Sequence, residues 1–87
     1  MWQVEFDPAA ARELRKLGAA PRALILLYLR ERIATPEDPR RFGKSLGGDL
    51  SGLWRYRVGD YRIVCRVEDQ KLVVLVVRVA HRREVYE

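Results

Sequence analysis

Arginine recurs at alternate positions around a Gly59-Asp60 pair: Arg55 and Arg57 precede it, and Arg62 and Arg66 follow it. Gly-Asp is a signal for a two-residue hairpin turn, which would place Arg57 directly opposite Arg62. Because side chains alternate between faces along a strand, all four arginines then share one face of the hairpin. Guanidinium groups are planar, permanently charged donors that fit phosphate oxygens, so this arrangement predicts a phosphate-binding site.

The meeting of like charges is informative in itself. Two cations directly opposite each other destabilise a hairpin, by about a few tenths of a kcal/mol or more. An arrangement that is locally unfavourable is typical of a functional site, and a bound phosphate would neutralise the charge. Arginine on the open face of an antiparallel sheet is also common as solvated surface paired with acidic loop residues. Both interpretations stay open on this pattern alone.

A second basic group ends the last apolar segment and comprises Arg78, His81, Arg82 and Arg83. Strand alternation puts Arg78 and Arg82 on one face. His81 has the only side chain that titrates near neutral pH, which makes it a candidate general acid or base, although a histidine at a strand end is often merely exposed. Tyr86 could stack on a base or pack the tail.

The elements that carry these groups follow from periodicity and turn signals. Asp7-Pro8 opens a first helix that we expect to end at Gly18, and Thr35-Pro36 stops a second helix. The predicted order is β-α-α-β-β-β in one domain, residues 1–87. This is an α+β fold in which a helical hairpin packs on one face of a mainly antiparallel four-stranded sheet. The predicted segments are strands at 2–6, 53–58, 61–67 and 71–80, helices at 8–17 and 20–34, and a surface loop at 37–52.

Composition limits the class of protein. The chain has 17 Lys+Arg against 12 Asp+Glu, a net charge of +5, which favours a polyanionic partner. Cys65 is the single cysteine and lies in an apolar strand pattern, so we expect a buried thiol and a reducing, cytoplasmic location. We find no signal peptide, apolar run of membrane-spanning length, metal-ligand cluster or glycine-rich phosphate loop. We therefore expect no membrane association and no cofactor.

Two stretches carry a resemblance to a known family. The run from Lys44 to Val64, with Trp54-Arg55-Tyr56-Arg57 and Tyr61-Arg62 around the turn, resembles the central signature of the RelE/ParE toxin superfamily. The ending from Val79 to Tyr86 resembles the tail of its RelE branch. The resemblance implies the toxin of a type II toxin-antitoxin system that enters the ribosomal A site and cuts messenger RNA without a metal. The 2′-hydroxyl of the message would attack the adjacent phosphate and leave a 2′,3′-cyclic phosphate.

The same resemblance implies roles for individual residues. Arg62 and Arg82 would stabilise charge on the reacting phosphate, Arg55 and Arg57 would position the RNA backbone, and Tyr86 would orient a base. The family carries lysine at the first two strand positions, where this chain has arginine, which cannot give up its proton in a protein. The general base is therefore open: either His81 takes the proton, or the reaction depends on orientation and electrostatics alone. We expect further RNA contacts from Lys44, Arg66, Arg78 and Arg83.

The resemblance also implies a protein partner, and two alternative functions stay open. The resemblance implies a cognate antitoxin that covers the basic face and the apolar helix surface between Leu24 and Ile33. A ParE-like inhibitor of DNA gyrase and a non-catalytic RNA- or partner-binding module on the same fold are the alternatives. For the nuclease, the arginines of the hairpin and one from the last strand must surround a single pocket the size of an anion.

Overall fold

The computed structural model describes residues 1–84. Its regular elements are strands β1 (Gln3–Phe6), β2 (Lys44–Ser45), β3 (Trp54–Val58), β4 (Tyr61–Glu68) and β5 (Val73–His81), with helices α1 (Pro8–Lys16) and α2 (Ala19–Tyr28). The strands form one sheet in the order β1-β5-β4-β3-β2. β1 runs parallel to β5, and the other neighbours are antiparallel. The predicted α+β fold is confirmed.

The sheet has five strands where the sequence predicted four. The additional strand, β2, is only two residues long and lies within the segment expected to be a surface loop. It pairs at the edge of β3, with Lys44 opposite Arg55 and Ser45 opposite Trp54. A strand this short carries no periodic signal that could distinguish it from a loop.

The first helix begins as its sequence predicts. The Asp7 carboxylate accepts the backbone N–H of Ala10 at 2.8 Å, and Pro8 occupies the first turn. The expectation for Gly18 was wrong: its φ is −63°, and it caps the N-terminus of α2 instead of ending α1 in a left-handed conformation. The link between the two helices therefore stays extended.

The second helix covers the core with one side only. Ile25 and, in the π-helical turn that follows at Leu29–Ile33, Leu29 and Ile33 are buried, together with Ala10 and Leu14 of α1. Leu24 and Leu27 remain 58% and 46% exposed. These helices pack on the sheet face that carries Tyr56, Ile63, Cys65, Val74 and Val76, all fully buried. Within residues 1–84, no helix has the length and apolar content needed to cross a membrane.

The segment between α2 and β3 is held to the sheet by polar contacts. The Tyr56 hydroxyl donates to the Pro39 carbonyl at 2.8 Å, and Trp54 Nε1 donates to the Phe42 carbonyl at 2.7 Å. Arg40 forms a bidentate ion pair with Asp69 in the β4–β5 turn, with N–O distances of 2.8 and 2.7 Å. These contacts fix the path of the chain alongside the arginine-bearing strands.

Candidate phosphate-binding face

The β3–β4 hairpin has the predicted register. Val58 pairs with Tyr61, Arg57 with Arg62, and Tyr56 with Ile63. Gly59 has a φ of +58°, the conformation required at the first position of a two-residue type II′ turn. Arg57 and Arg62 consequently lie opposite each other on the face turned away from the helices.

Two of these arginines are buried despite facing away from the helical layer. Arg55 is 4% exposed and Arg62 is 6% exposed, and they are the buried charged residues among those that the structure describes. The same face carries a small apolar cluster around Val64 and Ala80. A charge removed from water acts on a ligand more strongly than one on the surface, and a fixed stem avoids reorganisation on binding.

The guanidinium of Arg62 is oriented by the turn. Its Nη1 donates to the carbonyls of Gly59 and Tyr61, at 3.1 and 3.0 Å. Arg82 reaches the same turn from the end of β5, because its backbone N–H donates to the Asp60 carbonyl at 2.7 Å. The Arg82 side chain lies near the Asp60 carboxylate, with Nε 3.9 Å from Oδ1. Arg62 and Arg82 are therefore both tied to residues 59–61.

His81 lies on the other side of the sheet. It pairs with Tyr61, whose ring packs with the helix-facing core, and the two rings meet edge to face with centroids 5.8 Å apart. His81 Nδ1 accepts the backbone N–H of Arg83 at 3.2 Å, which in the neutral ring leaves the proton on Nε2. The structure does not bring this candidate base to the arginine face.

Arg78 lies next to a β-bulge in β5 and contacts α1. A β-bulge shifts the β4–β5 register, so that Val64 pairs with Arg78 and Cys65 with Val76. Arg78 Nε lies 4.0 Å from the Glu13 carboxylate, whose other oxygen accepts the backbone N–H of Val79 at 2.8 Å. Because Val64 also pairs with Arg55, this register places Arg78 on the arginine face. That Arg78 and Arg82 share a face stays a prediction, since Arg82 follows β5 in a 3₁₀ turn.

The remaining predicted residues are dispersed. Arg66 lies on the arginine face, but four residues along β4 place it about 13 Å from Arg62. Arg83 is exposed in the turn after β5. Tyr86 lies outside the described residues.

One cleft does form on this edge of the sheet. It encloses about 240 Å³ and is lined by Tyr28, Phe42, Gly43, Lys44, Arg55 and Arg57. Arg62 and Arg82 do not line this cleft. Among the described residues the cations lie in two adjoining groups, one at the cleft and one at the turn, joined by the Arg57–Arg62 pair. That they surround a single anion-sized pocket stays a prediction. Sequence reasoning missed Tyr28 and Phe42, because no local pattern reveals which residues of an irregular loop meet a helix.

Comparison with known proteins agrees with this fold. Residues 4–86 match a family described as the ParE toxin of the type II toxin-antitoxin system. Toxin RelG of Mycobacterium tuberculosis is 34% identical over 85 residues, covering 98% of this chain and 95% of that protein.

Solved structures of toxins from the same family have a similar fold. The toxin-antitoxin complex RelBE2 from Mycobacterium tuberculosis contains a chain with 32% identity and a TM-score of 0.84, covering 93% of this chain and 91% of that one. The isolated Escherichia coli RelE toxin aligns with a TM-score of 0.73 and 29% identity, covering 93% and 84% of the two chains. The chain belongs to the RelE/ParE superfamily of type II toxin-antitoxin toxins.

Proposed function

We propose that the 87 residues form one cytoplasmic toxin domain of the RelE branch, a ribosome-dependent endoribonuclease that cuts messenger RNA in the A site. The observation that carries the proposal is the Arg57–Arg62 pair, with buried Arg55 on the same face and Arg82 tied to the adjoining turn. Relatives of similar length that bear the names RelG and RelE support the same branch.

In the proposed reaction, the 2′-oxygen of one nucleotide bonds to the adjacent phosphorus and the bond to the 5′-oxygen of the next nucleotide breaks. The 2′-hydroxyl loses a proton and the departing 5′-oxygen gains one, leaving a 2′,3′-cyclic phosphate and a 5′-hydroxyl. Negative charge grows on the phosphate oxygens in the transition state. Fixed guanidinium donors stabilise that charge most effectively when they need no reorganisation.

The roles divide between the two groups of cations. Arg62 and Arg82, at the turn, would contact the reacting phosphate. Arg55 and Arg57 would hold the RNA backbone, with Lys44 at the edge of the cleft. Because His81 lies on the helix side, we assign the rate to orientation and electrostatics and not to a titrating base. Tyr86 remains a candidate for orienting a base.

A cognate antitoxin is the expected partner. Solved relatives include the RelBE toxin-antitoxin complex of Escherichia coli and the RelE-RelB complex of Pyrococcus horikoshii. The exposed leucines of α2 and the basic face provide apolar and positively charged surface for such a partner.

The test adds purified protein to translating ribosomes and maps new 5′ ends on the message. Cuts within A-site codons support the proposal. Intact message combined with arrested supercoiling by DNA gyrase would instead support the ParE-like alternative. The family that the chain matches is described by the name ParE toxin, which is why this arm is included. Loss of both effects with RNA binding retained would leave a non-catalytic binding module.

A further inference from the structure

Phe42 sits against two arginine side chains beside the cleft. Arg41 Cζ lies 4.6 Å from the centroid of the Phe42 ring, and Arg32 Cζ lies 5.4 Å from it. Both distances fall within the range of about 6 Å over which a cation is attracted to a ring face. Phe42 is half-buried, and both arginines are exposed. The loop therefore presents an aromatic ring together with guanidinium planes at the surface.

The Phe42 ring is fixed by contacts with neighbouring aromatic residues. Tyr28 meets Phe42 edge to face with centroids 6.5 Å apart, and Tyr28 in turn lies 5.9 Å from the buried ring of Tyr56. The Phe42 carbonyl accepts the Trp54 indole N–H at 2.7 Å. An aromatic wall that is fixed before binding loses little conformational entropy when a ligand stacks on it.

Basic side chains surround this aromatic wall. Phe42 and Tyr28 line the same cleft of about 240 Å³ as Lys44, Arg55 and Arg57. Among residues 1–84, no carboxylate oxygen lies within 4.0 Å of a side-chain nitrogen of Arg32, Arg41 or Lys44. The rim of the cleft thus offers cations for an anionic ligand, and its wall offers the Phe42 ring together with the guanidinium planes that lie over it.

We propose that this cleft binds one unpaired nucleotide of RNA, with its base against the Phe42 wall and its phosphate toward Arg57. The inference rests on the proposed function and extends it to a subsite for a neighbouring nucleotide. Single-stranded RNA is recognised by stacking splayed bases on aromatic rings and arginine planes above a basic groove. The volume is below the roughly 300 Å³ at which pockets for drug-sized ligands begin, which suits a single nucleotide.

Arg57 connects this subsite to the cations at the β3–β4 turn. It lines the cleft and pairs with Arg62 across the hairpin. A strand of RNA that places one phosphate near Arg62 has its adjoining nucleotide at the cleft edge. An acidic peptide such as polyglutamate could also use the cations, but it has no aromatic base to stack on the wall. The contribution of the Phe42 ring therefore distinguishes the two ligands.

The test measures fluorescence anisotropy of a labelled short oligoribonucleotide and of a matched oligomer that lacks bases but has the same phosphates. Base stacking contributes about 1–3 kcal/mol, so the wild type should prefer the base-containing RNA by about 5- to 150-fold. Phe42→Leu keeps apolar volume but removes the ring and should reduce this preference by at least about 5-fold. Phe42→Tyr keeps a π face and should retain the preference, as should the charge control Arg12→Gln on α1.

Two results overturn the inference: a wild type that does not distinguish the two oligomers, or a Phe42→Leu variant that distinguishes them as well as the wild type. Displacement by a polyglutamate peptide that depends on Phe42, without base preference, assigns the cleft to a protein partner and also overturns it. Thermal unfolding verifies that each variant is folded. If Phe42→Leu is not folded, Arg41→Gln replaces it, with about 2- to 5-fold weaker RNA binding expected and unchanged binding contradicting the inference.

Failure of the subsite and failure of the nuclease are distinguishable. Base preference that depends on Phe42, combined with intact message on ribosomes, retains the subsite and rejects cleavage. Cleavage of the message by a protein that shows no base preference retains the nuclease and rejects the subsite.

Discussion

Arg57 and Arg62 lie directly opposite each other across the β3–β4 hairpin, on the face that the helices leave uncovered. A sheet that served only as scaffold would gain stability from an opposite-charge or apolar pair at this position. Their juxtaposition gives the face a focus of positive charge beside the buried Arg55, and the proposed phosphate chemistry depends on it.

Inorganic phosphate should stabilise the protein if this face binds an anion. A ligand at ten times its Kd raises the free energy of unfolding by about 1.4 kcal/mol, because it binds only the folded state. We expect phosphate to raise Tm in a concentration-dependent manner, measured by calorimetry against sodium chloride of the same ionic strength. Arg62→Gln should reduce the increase, whereas Arg12→Gln on α1 should not. Equal increases in all three proteins would show that phosphate acts as a general salt.

Substitution of Gly43 should be costly. Its φ is +80°, and an added Cβ would clash with the Arg55 carbonyl oxygen and would lie 2.7 Å from Trp54 Nε1. We expect Gly43→Ala to lower the free energy of unfolding by about 2 kcal/mol or more in urea titrations. Gly47→Ala is the matched control, since its Cβ would meet nothing within 4 Å, and it should be neutral or slightly stabilising. A tolerated Gly43→Ala would mean that the loop does not follow this path beside β3.

Removal of His81 should leave the reaction largely intact. The ring pairs with Tyr61 on the helix side, and Nδ1 is engaged by a backbone N–H. We therefore expect His81→Gln to change the cleavage rate by less than about 3-fold and to preserve its pH profile, because a general base contributes about 100-fold or more. Single-turnover cleavage on ribosomes between pH 5.5 and 8.5 is the measurement. A profile flattened near neutrality would restore His81 as the base.

The Arg40–Asp69 pair predicts a specific pH dependence. The Arg40 hydrogen bond lowers the pKa of Asp69 in the folded protein. A carboxylate with a lowered pKa stabilises the fold above its unfolded pKa, and the contribution is lost as pH falls through the folded pKa. The Tm difference between wild type and Asp69→Asn should be constant from about pH 7 to 5 and should shrink below about pH 4. A difference that persists at about pH 2.5 would assign the effect to something other than the carboxylate charge.

The hairpin could be predicted from the sequence because its two-residue turn pairs Val58 with Tyr61. That pair then determines which residue of β4 lies opposite each residue of β3. The register between β4 and β5 could not be predicted in this way, because the bulge opposite Val64 and Cys65 adds a residue to one strand only. Alternation describes regular strands and contains no information on where they become irregular.

The cleft shows a second limit of sequence reasoning. Phe42 lies in an irregular segment, and its neighbours Tyr28 and Arg32 are ten or more residues earlier in the chain. Their contact depends on tertiary anchors such as the Trp54 indole bond to the Phe42 carbonyl. The sequence therefore predicted the cations of the strands, whose faces follow from periodicity, but not the aromatic wall beside them.

The most direct test of the account measures A-site cleavage on translating ribosomes by the wild type, Arg62→Ala, Arg82→Ala and the control Arg12→Ala. Loss of one donor to a developing negative charge lowers a rate by about 100-fold or more, so both turn variants should fall by at least that factor. The control should cleave like the wild type. Arg62→Ala and Arg82→Ala proteins that remain folded and cut at the wild-type rate would contradict the assignment of phosphate chemistry to this face.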